Sequence, residues 1–126
     1  AFLNGRRIRV SARKEFSESL FSTGIPFMES GKEERFLERL ENVMSVSAGV
    51  RRFGSTALDL AYVAAGRYDG FWETGLQKWD MAAGIALVRE AGGFVTDISG
   101  RKGMMETGDI VCANDKLHPK LLKMVK

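Results

Sequence analysis

Apolar positions recur along this chain with two different periods. From Gly31 to Ser45, Phe36, Leu37, Leu40, Val43 and Met44 form one stripe at helical spacing, while Lys32, Glu33, Glu34, Arg35, Glu38, Arg39 and Glu41 fill the opposite face. That is the pattern of a surface helix packed on a core. A second helix is predicted from a Ser55 or Thr56 cap to Ala65, with Leu58, Ala61, Tyr62 and Ala65 inward and Gly66 closing it. A third follows Trp79-Asp80. There Met81, Ile85 and Val88 share a stripe, Ala82, Ala83 and Gly84 lie between them, and Gly92-Gly93 supplies the stop. A last helix, capped by Asn114-Asp115, carries Leu117, Leu121, Leu122 and Val125 on one side.

Between these stripes the period shortens. Ser17–Thr23 leads as a strand into a Gly24-Ile25-Pro26 turn, and Val46–Phe53 reads as a short strand. Tyr68–Glu73 is aromatic-rich, Phe94–Ile98 ends at a Ser99-Gly100 turn, and Ile110–Ala113 is an unbroken apolar run. Arg101–Gly108, with its two adjacent methionines, is expected to be a loop. At the front, Asn4-Gly5 separates Phe2-Leu3 from the alternating Arg7, Ile8, Arg9 and Val10, a strong hairpin signal because both turn residues take positive φ. Strands and helices that alternate in this way predict an α/β fold. The sheet is expected to be mixed and largely parallel, flanked by helices and preceded by a β-hairpin.

Open α/β sheets bind ligands beyond the carboxyl ends of their strands. Three stretches are predicted to meet there. Gly54, Ser55 and Thr56 lie at a strand-to-helix turn, where their backbone and hydroxyls either line a pocket or simply cap the helix. Glu73 ends a strand just before Gly75, as a substrate contact or an exposed loop charge. Asp80 is placed as the N-cap of its helix. A helix N-terminus attracts anions, and a carboxylate there can also hold a divalent cation, so a phosphate–metal pair is a reasonable ligand. The plainer reading of Asp80 is a cap alone. Lys78 faces either a phosphate or solvent.

The 126 residues fit one domain with a modest core, and 44% hydrophobic with 28% charged residues is ordinary for a globular protein. Mean hydropathy is −0.14, and no apolar run reaches membrane-spanning length. The single Cys112 sits in an apolar run and is expected to be a buried, reduced thiol, which points to the cytoplasm. The net charge of +3 is spread over Arg6, Arg7, Arg9, Arg13-Lys14, Arg51-Arg52 and Arg101-Lys102 rather than gathered in a stripe. Nucleic acid is therefore not the expected partner. His118 has no second histidine or cysteine at ligand spacing, so no zinc role is expected for it.

W-D-M-A-A-G at 79–84, followed by an apolar run and E-A-G-G at 90–93, resembles the second signature of the inositol monophosphatase family of metal-dependent phosphatases. The resemblance continues through G-S-T-A-L-D-L-A-Y-V-A-A-G at 54–66, D-G-F-W-E at 69–73, A-F-L-N-G-R-R-I-R-V-S at 1–11 and I-V-C-A-N at 110–114. It implies hydrolysis of a small phosphomonoester such as inositol monophosphate, with Mg²⁺ as cofactor. It places Gly54, Ser55 and Thr56 where a polyol hydroxyl or phosphate is met, Glu73 on a substrate hydroxyl, and Asp80 on both substrate and metal. It also implies a homodimer, with the helix carrying Leu58 and Tyr62 and the Arg51-Arg52 strand as possible interface elements.

The family's remaining metal ligands come from an upstream Glu and a D-P-x-D-G-T segment, neither of which occurs in this sequence. Residues 1–11 are thus expected to be the closing hairpin of a further N-terminal domain, with 12–126 the C-terminal α/β domain. No catalytic side chain is assigned within the chain, Asp80 is its sole expected metal ligand, and the chain alone is expected to bind Mg²⁺ weakly and to turn over nothing. Asp59, Asp69, Asp97 and Asp109 show no pair at a metal-binding spacing. Two alternatives stand beside this reading. One is a sugar-bisphosphate or nucleotide 3′-phosphate phosphatase of the same superfamily. The other is a protein- or RNA-contacting module with a vestigial pocket, motivated by Arg51-Arg52 and the pI of about 9.2.

Overall fold

The structure is a computed structural model that describes the backbone of residues 1–24 and 32–126 and the side chains of 1–24 and 35–126. The expected turn at Ile25-Pro26 and the charged start of the first helix lie outside the described side chains. Two short antiparallel strands, β1 (Phe2–Leu3) and β2 (Arg6–Arg7), form the hairpin. Its turn has Asn4 at φ 51° and Gly5 at φ 80°, as an Asn-Gly hairpin requires. The strands are shorter than the alternation through Val10 predicts. Val10 instead donates its N–H to the carbonyl of Ala91 and leaves the hairpin.

The sheet contains β3 (Leu20–Thr23), β4 (Gly49–Arg51), β5 (Gly70–Glu73), β6 (Phe94–Thr96) and β7 (Ile110–Ala113), in the order β4-β3-β5-β7-β6. β3 pairs in parallel with β4 and β5, while β7 runs antiparallel to both β5 and β6. Four strands therefore point one way and one opposes them, which bears out a mixed, largely parallel sheet.

Alternation along β5 and β7 sorts the core onto two faces. Phe71 and Cys112 are register partners and face α2 (Thr56–Ala64) and α3 (Lys78–Glu90), where Leu60, Val63, Met81, Ile85 and Val88 complete one cluster. Trp72 and Val111, the next pair, face α1 (Lys32–Met44) and α5 (His118–Val125) and pack with Phe21, Val43, Leu117, Leu121 and Val125. Burial raises the Cys112 thiol pKa well above its usual range. The thiol is free and enclosed, as expected of it.

Several boundaries and faces differ from the expectation. The strand ending at Thr23 begins only at Leu20, because Phe16–Glu18 forms a 3-10 turn first. In α1, Leu37 and Met44 are 60% and 56% exposed, so the buried stripe is narrower than the periodicity predicts. In α2 the inward residues are Asp59, Leu60, Val63 and Ala64 rather than Leu58, Ala61, Tyr62 and Ala65. The segment is apolar almost all round, so hydrophobic period does not choose its face. Met104–Thr107 forms a short helix, α4, where a loop was expected, because Met104 buries its side chain and Gly108 ends the turn at φ 77°.

Two buried carboxylates and one amide fasten the loops. Asp97 accepts from the N–H groups of Ser99, Arg101 and Gly103 and from the Ser99 hydroxyl. Asp69 takes the Ser11 hydroxyl, the N–H of Leu20 at 2.7 Å and the Arg13 guanidinium at 3.3 Å. The Asn114 amide donates to the carbonyls of Ser11 and Arg13 at 2.7 and 2.8 Å, while its oxygen caps the turn before α5. His118, 6% exposed, meets the Thr96 hydroxyl at 2.9 Å and is a core residue.

α2 and α3 cross at Gly84, where an added Cβ would come within 2.6 Å of the Leu60 Cβ. Gly84→Ala gains helix propensity but forces the two helices apart, so a net loss of about 1–3 kcal/mol is expected from urea unfolding. A variant as stable as the parent would show that this crossing does not constrain the helices.

Candidate functional site

Three elements deliver side chains to the carboxyl end of β5. The β3–α1–β4 and β4–α2–β5 connections place α1 and α2 on opposite faces, which puts the topological switch point at the carboxyl ends of β3 and β5. Glu73, the last residue of β5, follows Phe71 onto the α2/α3 side. Its carboxylate fills the space beside Gly24, where a Cβ would overlap Oε1. The Thr56 hydroxyl, at the start of α2, donates to Glu73 Oε1 at 3.3 Å.

Ser55 is the N-cap of α2, and its hydroxyl accepts from the N–H of Leu58 at 3.4 Å. Gly54 just before it sits at φ 88° with open space where a Cβ would point. The positive φ, rather than crowding, is what calls for glycine there. Of the G-S-T triplet, only Thr56 reaches Glu73 with its side chain.

Asp80 lies one turn further into α3 than expected. Gln77 is the N-cap, Lys78 and Trp79 are already helical, and Asp80 is the third helical residue. It still serves the helix start: its Oδ2 accepts from the Gln77 N–H at 3.2 Å. No described residue donates to its Oδ1. Lys78 is exposed, and so is Trp79, at 79%.

Asp59 is a member of this site that sequence periodicity missed. It is 1% exposed on the inner face of α2 and accepts from the Ser22 hydroxyl at 2.6 Å. A lone carboxylate in an apolar helical segment, with a serine inside a buried strand, was the available signal. Burial raises its pKa and the Ser22 hydrogen bond partly opposes that. Glu73 is affected more strongly. Burial lifts its carboxyl to about 7, the Thr56 hydrogen bond opposes, and the charges of Asp59 and Asp80 push it further up.

The arrangement is a half-buried carboxylate close enough to two others, Asp59 and Asp80, for their charges to act on it. Hard oxygen donors of this kind suit Mg²⁺. The count falls short of a closed metal site, because no group of three or more His, Cys, Asp or Glu able to hold a metal occurs among the described residues. Asp80 fits as one ligand. Asp69, Asp97 and Asp109 do not join it: the first two are taken up by loop hydrogen bonds, and Asp109 accepts from the Gly75 N–H at 3.3 Å.

Glu73 holds its proton more tightly in the folded state, so its contribution to stability is full below about pH 4.5 and is lost as pH rises through about 7. Stability at pH 8 is expected to fall below that at pH 5 by on the order of 1–2 kcal/mol, and Glu73→Gln to flatten the difference. Chemical denaturation across pH checks this. An unchanged profile in Glu73→Gln would place the titration elsewhere.

The sequence model of the inositol monophosphatase family matches residues 1–126. The inositol-1-monophosphatase of Mesorhizobium japonicum is 52% identical over the whole chain, which covers 47% of that protein. A Nus factor SuhB of Pseudomonas aeruginosa is 48% identical, with the chain again covering 47% of it. Among solved structures, the extragenic suppressor protein suhB from Bartonella henselae superposes with a TM-score of 0.95 at 50% identity, over 99% of this chain and 48% of that one. An inositol monophosphatase from Anabaena (Nostoc) gives a TM-score of 0.90 at 39% identity, over 97% and 50%. The chain therefore spans about half the length of the curated relatives it matches.

Proposed function

The chain belongs to the inositol monophosphatase family, and from that premise we propose that it is part of a Mg²⁺-dependent hydrolase of inositol monophosphate or a similar small polyol phosphate. The observation that carries the proposal is the Thr56–Glu73 hydrogen bond at the carboxyl end of β5, with Asp80, from a third element, near enough for its charge to act on Glu73. In this reading Glu73, fixed by Thr56, accepts hydrogen bonds from substrate hydroxyls. The turn at Gly54 and Ser55 leaves backbone open toward the polyol. Asp80 holds a cation with the oxygen that Gln77 does not engage. When bound, the cation supplies polarisation of the phosphoryl group and a more acidic water. The other ligands belong to polypeptide beyond this chain, with residues 1–11 the edge of the domain that carries them. Assembly as a homodimer and a cytoplasmic setting belong to the same proposal. No described helix is long and apolar enough to cross a membrane.

A second reading has its own support. Relatives called Nus factor SuhB match nearly as well as those called inositol-1-monophosphatase. Arg51, Arg52 and Phe53 are exposed at the edge strand β4 and just after it. A protein- or RNA-contacting role of that surface is compatible with the pocket and does not need its chemistry.

Phosphate release from inositol monophosphate by the full-length protein with Mg²⁺ tests the first reading. Asp80→Asn is expected to lower turnover by on the order of a hundredfold or more. Residues 1–126 alone are expected to bind Mg²⁺ weakly by calorimetry and to release no phosphate. Full activity of Asp80→Asn would sink the hydrolase reading. Salt-dependent RNA or protein binding lost in Arg51→Ala/Arg52→Ala, yet unaffected by Asp80→Asn, would favour the second.

A further inference from the structure

The two faces of β5 carry opposite charge at its end. Glu73 turns toward α2 and α3, where Asp59 and Asp80 gather. Thr74, the next residue, lines a cleft of about 290 Å³ together with Arg35, Arg39, Gly75, Thr107 and Asp109. Arg35 and Arg39 lie one turn apart on α1, so both guanidinium groups project to this side. Arg39 is half-buried, and neither arginine has an ion pair within 4.0 Å or donates a hydrogen bond to a carboxylate among the described residues. Burial of Arg39, and then the charge of Arg35, lower its pKa, while Asp109 and Glu38 partly compensate.

The lining is rich in donors and poor in free acceptors. Among the described residues Asp109 is the only carboxylate in it, and its Oδ1 is engaged by the Gly75 N–H at 3.3 Å. The Thr107 hydroxyl accepts from the Asp109 N–H at 3.2 Å, which leaves its proton free to donate. Asp109 and Glu38 offset the half-buried Arg39 guanidinium only in part, and its planar fork matches an oxyanion. The cleft has room for a phosphate group, and among its described lining residues two positive charges outnumber one carboxylate.

We propose that the Arg35–Arg39 cleft is a second binding site, for the phosphate group of a small molecule, back to back with the acidic site across β5. The assignment does not depend on the hydrolase reading, because no residue is shared between the two sites. The phosphate comes either free, as inorganic phosphate, or on a small ester.

Titration with inorganic phosphate, and separately with glycerol phosphate, at constant ionic strength tests the site. The readout is the Arg side-chain and the Thr74, Gly75 and Thr107 amide resonances. Saturable shifts there are expected, weakened about tenfold or more by Arg39→Ala and by Arg35→Ala. Arg35 is exposed, so its variant carries the test if Arg39→Ala does not fold. Asp109→Asn, which keeps an acceptor for Gly75 but removes the charge, is expected to tighten binding severalfold. Shifts from both ligands assign the site to phosphate itself, and shifts from the ester alone assign it to a phosphorylated small molecule. Shifts that do not saturate, that persist in both arginine variants, or that are confined to residues 54–56, 73 and 80 would overturn the proposal.

Discussion

The contact of Leu60 with the bare Cα of Gly84 sets the geometry on which the candidate site depends. Thr56 rides on α2 and Asp80 on α3, while Glu73 is fixed by the sheet. How those three side chains stand to one another is therefore decided by how closely the two helices approach. A methyl group at position 84 would act on the site from its far side, through helix separation rather than through any direct contact. The inner cluster of Phe71, Met81, Ile85 and Val88 holds the pair against the sheet, so the hydrophobic core and the grouping of carboxylates are consequences of one packing arrangement.

That arrangement makes the carboxylates crowd. Buried Asp59 is held by Ser22 and half-buried Glu73 by Thr56, each with a single hydroxyl, which is little compensation for a charge withdrawn from water. Contrast Asp97, which collects four hydrogen bonds in its loop. A carboxylate satisfied in that way is structural. One left with a single donor beside two like charges retains capacity for a ligand, and this difference separates the site from the other buried acids of the chain.

Much of the architecture was legible in the sequence because it rests on strong local signals. Asn4-Gly5 specified the hairpin turn, Gly92 ended α3, and Ile110–Ala113 announced the most buried strand. The stripe of Met81, Ile85 and Val88 was right because small residues between them left no rival face. α2 was misread for the opposite reason. Leu58 and Tyr62 rival Leu60 and Val63 as an apolar face, and which side turns inward depends on distant partners, Gly84 against Leu60 and Ser22 on Asp59. Asp80 was placed at the right end of the right helix but as a cap, since nothing local says that Lys78 and Trp79 are already helical. The Arg35–Arg39 cleft needed the tertiary fold, because the residues that line it come from positions 35 to 109.

The clamp on residues 11–13 has a kinetic meaning. Ser11 and Arg13 are secured by Asp69, 58 and 56 positions away, and by Asn114, 103 and 101 positions away. Loops of that span close slowly and bring no reward until both ends are in place. During synthesis the strap following the hairpin can reach Asp69 first, but its second fastening waits until the last sheet strand and Asn114 after it have left the ribosome. The opening segment is thus held in two stages, and the closing segment completes it.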